Sequence, residues 1–430
     1  MNMKALTSPP ITEAVTELKG VAVSLFAQLA NGRLPGAGIT RDTYGAGETR
    51  GHDVVVNYAR QLGLEIAKDA AANTYMTLPG RNRDAPKIIV GSHLDSVPNG
   101  GNYDGAAGVV AGLLAVSVFK KLGIRPACDI TVMAIRAEES IWFQVSYIGS
   151  RAALGMLPIG ALDAKRFDTG RPLSAYVAEC GGDPRAIEKG IAALDPKKIR
   201  SFIELHIEQA PTLVEAGQPI AVGTCIPGNF RYPHIRIHGR HDHVGMPRRF
   251  RHDAVAAGSE LISAMDRLWA ERDARGISMA ITVGRCMTDP SAHGLTIVPG
   301  KLELSLDVRA YDPLELASLE ADIVEVAKQV EERYRVRIEF GTRAEAPIGP
   351  CSPKICDGLA DAAAKLGIAF DRIVSPASHD AAAFAQAGVP IGMIFVRNEN
   401  GSHNPQEHME ITDLLDGTAV MAEWLRKELS

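Results

Sequence analysis

Short apolar, β-branched runs alternate with longer helix-like stretches through the first half of this chain, predicting strands and helices in turn up to about residue 226. Residues 86–91 (PKIIVG), 129–136 (DITVMAIR), 202–209 (FIELHIEQ) and 390–396 (PIGMIFV) read as strands. The run 105–123 (GAAGVVAGLLAVSVFKKLG) predicts an amphipathic helix after the loop that follows the first of them. This alternation is the signature of an α/β fold, a mostly parallel sheet covered on both faces. From about 227 the order changes to a strand at 232–239, a helix at 253–272, strands at 277–284 and 302–309, a helix at 313–334 and a strand at 335–340. That βαββαβ order predicts an inserted α+β unit of the ferredoxin-like kind. The expected organisation is a first domain built from 1–226 and 343–430, with 227–342 inserted between its two segments.

Residues able to bind metal gather where these strands end. GSHLDSVPNGGNYDG (91–105) puts His93 and Asp95 at the C-terminal end of a strand, where open α/β sheets keep their sites, and Asp104 at the tip of the following loop. The strand at 129–136 delivers Glu138 and Glu139. Adjacent side chains on an extended backbone point opposite ways, so one could hold a metal while the other faces a substrate. Alternation in FIELHIEQ places Glu204, His206 and Glu208 on one face with Gln209 just beyond; taken alone, His206 reads equally well as a histidine on a polar face. His403 follows the last strand in RNENGSHNPQE, a loop rich in turn formers.

With these motifs the chain resembles the dizinc aminoacylase and carboxypeptidase superfamily, and within it the N-carbamoyl-L-amino acid amidohydrolase, allantoate amidohydrolase and β-ureidopropionase branch. The resemblance runs from ITRDTYG (39–45) through GSHLDSVPNGGNYDG, HIEQAPTLVEAGQPIAVGT and IVPG to SHNPQE and the terminal helix. It implies a mostly parallel-sheet metallohydrolase domain with an inserted lid and dimerisation domain, hence a homodimer. It also implies two divalent ions per subunit, one held by His93, Asp104 and His206 and the other by Asp104, Glu139 and His403. Asp95 would orient His93, and Glu138 would be the general base. On the substrate side the resemblance assigns Gln209, His243, Arg309, which would grip a carboxylate, and His379. Departures cluster there: Thr296 stands where the branch has asparagine, Ser378 where it has glycine, and MPRRF follows His243 in a shorter, more basic form. The segment after the paired glutamates reads SIWFQVSYIGS in place of a glycine and arginine version.

Composition narrows the partners. A formal charge of −5 and 5% aromatic residues give no pull towards nucleic acid. The six cysteines are scattered with no CxxC pair, as in a reducing compartment. Residues 1–30 (MNMKALTSPPITEAVTELKGVAVSLFAQLA) read as a short tail and an amphipathic helix, with Glu13 and Glu17 interrupting any signal-peptide core, and no run is long enough to span a membrane. A small-molecule substrate and a cytoplasmic location are expected. GAGETRG (45–51) has the wrong spacing for a dinucleotide fingerprint, and neither HExxH nor GxSxG occurs. His52, His234, His238, His241, His252, His293 and His408 are expected to be structural or at the surface.

The leading expectation is a dimetal hydrolase of a linear amide or ureido C–N bond in a small carboxylate-bearing molecule. An N-acyl amino acid, dipeptide or aromatic-amine substrate is the alternative within the class; a non-catalytic dimeric binding protein is the alternative outside it. Imidazole and carboxylate donors admit zinc, manganese, cobalt or nickel without choosing among them. General-base catalysis typically contributes about 10²–10⁴-fold in rate. Glu138→Gln should therefore keep its metal content and lose turnover by that order. Metal analysis alongside steady-state rates checks this, and a variant of nearly full activity would remove Glu138 as the base.

Overall fold

Strands carrying branched apolar side chains on both faces need cover on both, and the central strands have it. The computed structural model describes residues 11–31 and 37–430. Its first part holds β1 (Glu65–Lys68), β2 (Thr74–Leu78), β3 (Lys87–His93), β4 (Ile130–Ile135), β5 (Ile199–Ile207), β6 (Ile220–Gly223) and β7 (Cys225–Ile226). Then come β8 (Gly228–His238), β9 (Asp242–His243), β10 (Met279–Thr288), β11 (Ile297–Val298), β12 (Lys301–Ala310), β13 (Arg337–Glu339) and β14 (Ala344–Ala346). The last part adds β15 (Gly349–Pro350), β16 (Phe370–Ile373) and β17 (Ile391–Val396). Two compact units result, one made by the chain up to Ile226 with Gly349–Ser430, the other by Pro227–Ile348.

The first unit is built on an eight-stranded sheet in the order β1-β2-β4-β3-β5-β17-β6-β16. Its centre, β4-β3-β5-β17, is parallel throughout, so four strands end at the same edge. The helix Ala106–Lys121 was expected to be amphipathic, yet every residue from Ala106 to Phe119 is buried. The sheet covers one side, and the C-terminal helix Ile411–Leu429 with the helices near the N-terminus covers the other. The single helix expected within residues 1–30 is two, Ile11–Thr16 and Lys19–Ala30; residues 1–10, where the short tail was expected to begin, lie outside the described residues.

The second unit is an antiparallel sheet, β10-β12-β8-β13, with β14 added along β8. Alternate residues of β12 are buried, and Leu304, Leu306 and Val308 pack with Leu261 and Met265 of the helix Ala254–Asp273 and Leu319 and Ile323 of the helix Pro313–Tyr334. Asp253 and Asp312 cap these helices with side-chain hydrogen bonds to backbone N–H groups. The return to the first unit falls at Gly349 and not at 343, because Ala344–Ala346 pairs with β8. No helix among the described residues is long and apolar enough to cross a membrane, and the six cysteines are free.

Close packing of the Ala106–Lys121 helix on the sheet depends on Gly108, where a Cβ would stand 2.2 Å from the Leu205 carbonyl oxygen. Gly108→Ala should lower the unfolding free energy by about 1–3 kcal/mol. Gly20, in the helix Lys19–Ala30, has nothing within 4 Å of its Cβ position, so Gly20→Ala should leave stability unchanged or raise it by up to about 1 kcal/mol. Urea titration of the two variants measures the contrast, and equal midpoints would contradict it.

Candidate metal centre

The common edge of the parallel strands collects the donors. His93 closes β3, His206 is near the end of β5, Glu138 and Glu139 follow β4, and His403 lies in the loop after β17. Asp104 stands between them, with Oδ1 3.5 Å from His93 Nε2 and 3.3 Å from His206 Nε2, and Oδ2 3.4 Å from His403 Nε2. His403 Nε2 is also 3.5 Å from Glu139 Oε1. Two triads share Asp104, His93–Asp104–His206 and Asp104–Glu139–His403, and a third group, Glu204–His206–His379, lies beside them; each offers ligand atoms within 4.8 Å of one another. Gly105 is needed beside Asp104: its φ is 64°, and a Cβ there would lie 2.5 Å from the His93 ring.

Glu138 and Glu139 lie beyond the strand, not on its continuation as the sequence pattern led us to expect. β4 stops at Ile135 and Ala137 adopts φ 59°, so both glutamate N–H groups turn onto one acceptor, the Asp95 carboxylate, each at 3.1 Å. Gln209 and His403 also have positive φ, 65° and 60°. Non-glycine residues in this region concentrate at sites where the surroundings dictate the backbone.

The donor set fits divalent cations. Two triads of imidazole and carboxylate sharing one aspartate match the ligand preferences of first-row divalent metals. Burial pushes Glu138 up to about 8 against the pull of His93, and pushes Glu139 up to about 8 with Asp104 adding to the effect. Burial opposes ionisation of Asp104 too, but hydrogen bonds from His206, His403 and His93 hold it well below the usual carboxylate range. Carboxylates so crowded mark a cluster short of positive charge, which bound divalent cations would supply.

Peptidase family M20/M25/M40 matches residues 89–427. The chain belongs to this family. It is similar to N-carbamoyl-L-amino acid amidohydrolase of Geobacillus stearothermophilus, at 34% identity over 393 residues covering 91% of this chain and 93% of that one. Ureidoglycolate hydrolase of Arabidopsis thaliana is 28% identical over 403 residues, covering 91% and 83%. In structure the chain is similar to an amidase of the hydantoinase/carbamoylase family from Burkholderia multivorans, with a TM-score of 0.82, 25% identity, and coverage of 96% and 98%.

Of the substrate-side residues expected in this M20/M25/M40 chain, Gln209 reaches the centre, where its Nε2 donates to Asp104 Oδ2 at 2.8 Å. His379 is buried, with its ring 4.3 Å from that of His206 and its Nε2 2.8 Å from Ser375 Oγ; Ser378 is half-buried beside it in sequence. His243, Thr296 and Arg309 belong to the second unit. There His243 on β9 faces Ile297 of β11 and the Thr296 carbonyl accepts from Val244 N–H, while Arg309 Nε donates to Asp307 at 2.8 Å. Glu204 and Glu208 are buried together with His206, so the face they share is internal: Glu204 accepts from Ser92 Oγ and Ala381 N–H, and Glu208 from Thr212 and Leu213 N–H. His52 is buried with its Nδ1 3.0 Å from Thr74 Oγ1.

Sequence reasoning missed the residues that hold these donors in place. Arg41 is buried and donates to the carbonyls of Leu94 (2.6 Å) and Asp104 (3.2 Å) and to Asn102 Oδ1 (3.0 Å), bracing the loop between His93 and Asp104. Glu48, inside the discounted GAGETRG stretch, accepts from Arg136 at 2.8 Å and from Ala137 N–H at 2.9 Å, setting the turn into Glu138. Arg41 and Thr43 lie in ITRDTYG, which carried the resemblance; Glu48 had no signal beyond being an acid in the first turn of the helix Ala46–Gln61.

Asp95 joins both halves of the centre, since it also takes Thr43 Oγ1 at 2.5 Å and lies 3.3 Å from His93 Nδ1. Outer-shell partners of metal ligands typically govern affinity by about 10–100-fold. Asp95→Ala should weaken zinc and manganese binding by that factor in calorimetric titration; unchanged affinity would show that His93 and Glu139 keep their positions without it.

Proposed function

We propose that this chain hydrolyses a ureido or other linear amide C–N bond in a small carboxylate-bearing molecule, with N-carbamoyl-L-amino acids as the reference substrates. The observation carrying this reading is the pair of donor triads meeting on Asp104 with Glu138 alongside. Two bound divalent ions, zinc, manganese, cobalt or nickel, would supply a polarised carbonyl and a water acidified towards neutral pH. Glu138 would accept a proton from the attacking water and return it to the leaving nitrogen, a task suited to a carboxyl that burial brings near neutral pH. Asp95 would hold the Glu138 backbone and the His93 ring in register for that transfer. Gln209, whose carboxamide lies against Asp104, would present its remaining polar atoms to the substrate. His243, Thr296, Arg309, Ser378 and His379 are proposed substrate contacts, with the Arg309 guanidinium matched to a planar carboxylate. The relatives named for N-carbamoyl amino acids and ureidoglycolate support a ureido group on the same molecule as the acid. The second unit would be a lid that pairs two copies into a dimer; β10 leaves one edge of its sheet unpaired among the described strands.

The protein reconstituted separately with zinc and with manganese should release ammonium from a panel of N-carbamoyl-L-amino acids, β-ureidopropionate and allantoate. Release that vanishes in Glu138→Gln supports the reading. Absence of release from protein holding two ions would overturn the ureido assignment and turn attention to N-acyl amino acids and dipeptides.

A further inference from the structure

Glu407 belongs to neither triad, yet its carboxylate connects the two loops that bring Asp104 and His403 to the second one. It is buried, and its Oε1 accepts from the backbone N–H groups of Tyr103 at 2.9 Å and Asp104 at 3.2 Å. Its Oε2 lies 2.6 Å from Ser402 Oγ, and the same hydroxyl lies 2.6 Å from Asp104 Oδ2. The contacts close a ring from the Asp104 backbone through Glu407 and Ser402 to the Asp104 side chain. The loop before Asp104 is pressed onto this carboxylate: a Cβ at Gly101 would stand 2.0 Å from Glu407 Oε1.

The two triads differ in what else holds them. His93 and His206 sit on β3 and β5, whose places are set by neighbouring strands. His403 sits on a loop at φ 60° with 52% of its side chain exposed. Asn398 and Asn404 fold that loop onto itself, through Gly401 O and through Asn400 O and Ser402 O. Ser402 and Glu407 tie it to Asp104.

We propose that Glu407 is a positioning residue for the Asp104–Glu139–His403 half-site, holding the Asp104 loop against the His403 loop so that these three ligands are assembled before a divalent cation arrives. The inference rests on the metal-centre part of the proposed function and not on the substrate. It is a matter of hydrogen-bond geometry. A serine hydroxyl carries one hydrogen, while Ser402 Oγ faces two carboxylate oxygens. A carboxamide at 407 would keep an acceptor for the Tyr103 and Asp104 N–H groups and offer Ser402 a donor, so Glu407→Gln is the variant that preserves the ring. Glu407→Ala opens it at both ends, and Ser402→Ala removes the bridge alone.

Metal-free full-length protein titrated with zinc and with manganese by calorimetry, with metal content measured after gel filtration, tests this without reference to activity. Wild type should take up two ions. Glu407→Ala should retain one tight site and lose about 10–100-fold in affinity at the other, the usual scale for outer-shell support. Ser402→Ala should show a smaller loss at the same site, and Glu407→Gln should bind both ions as wild type does. Two tight sites in Glu407→Ala, or equal weakening of both, would overturn the proposal; so would a Glu407→Gln protein as poor as the alanine variant. Should Glu407→Ala not fold, two undiminished sites in Ser402→Ala would overturn it. A wild type that holds two ions but releases no ammonium would sink the ureido reading and leave this one standing.

Discussion

Four adjacent parallel strands that stop at one edge are the constraint on which the rest of the first unit depends. In a parallel set every C-terminal end faces the same way, so β4, β3, β5 and β17 present their following residues to one small volume. Val90 pairs with Ile203, which brings His93 and His206, each three residues on, to within 3.5 Å through their Nε2 atoms. A one-residue slip would turn each of these side chains to the opposite face. The apolar burial that fixes the register therefore also fixes the chemistry.

Putting several carboxylates and imidazoles into one buried cluster is unfavourable unless each is held and compensated. The chain meets this with a second layer of buried polar groups drawn from distant segments. Asp95 gathers Thr43, His93 and the backbone of both glutamates; Arg41 braces the loop leading to Asp104; Glu48 and Arg136 shape the turn into Glu138. Glu204 occupies both its oxygens with Ser92 and the Ala381 N–H, fixing the floor beneath His206. Left-handed Ala137 is tolerated because this layer, through Glu48, fixes its backbone.

The departures from the carbamoyl-hydrolase pattern at Thr296, Ser378 and MPRRF leave both donor triads intact. On the proposed reading, reaction chemistry and substrate choice would be written in different residues: the first would depend on the strand ends of one sheet, the second largely on loops, where sequence can change without disturbing the triads.

Much of the architecture was legible locally, because strand and helix periodicities and turn chemistry act over a few residues. The βαββαβ order, the strand ending at His93, the strand carrying His206 and the loop around His403 could all be read that way. Errors came where tertiary contacts overruled a local pattern: the Ala106–Lys121 helix is buried all round, Glu139 follows a left-handed turn instead of a strand, and β14 moves the return point to Gly349. By itself the sequence determined which segments become strands and which side chains could bind metal. Only the tertiary structure decided that Asp104 lies between His93, His206 and His403, and that Arg41, Glu48 and Glu407 hold the surrounding loops. Those contacts join positions as far apart as Asp104 and Glu407, and a hydrogen bond between such distant residues leaves no periodicity in the chain to read.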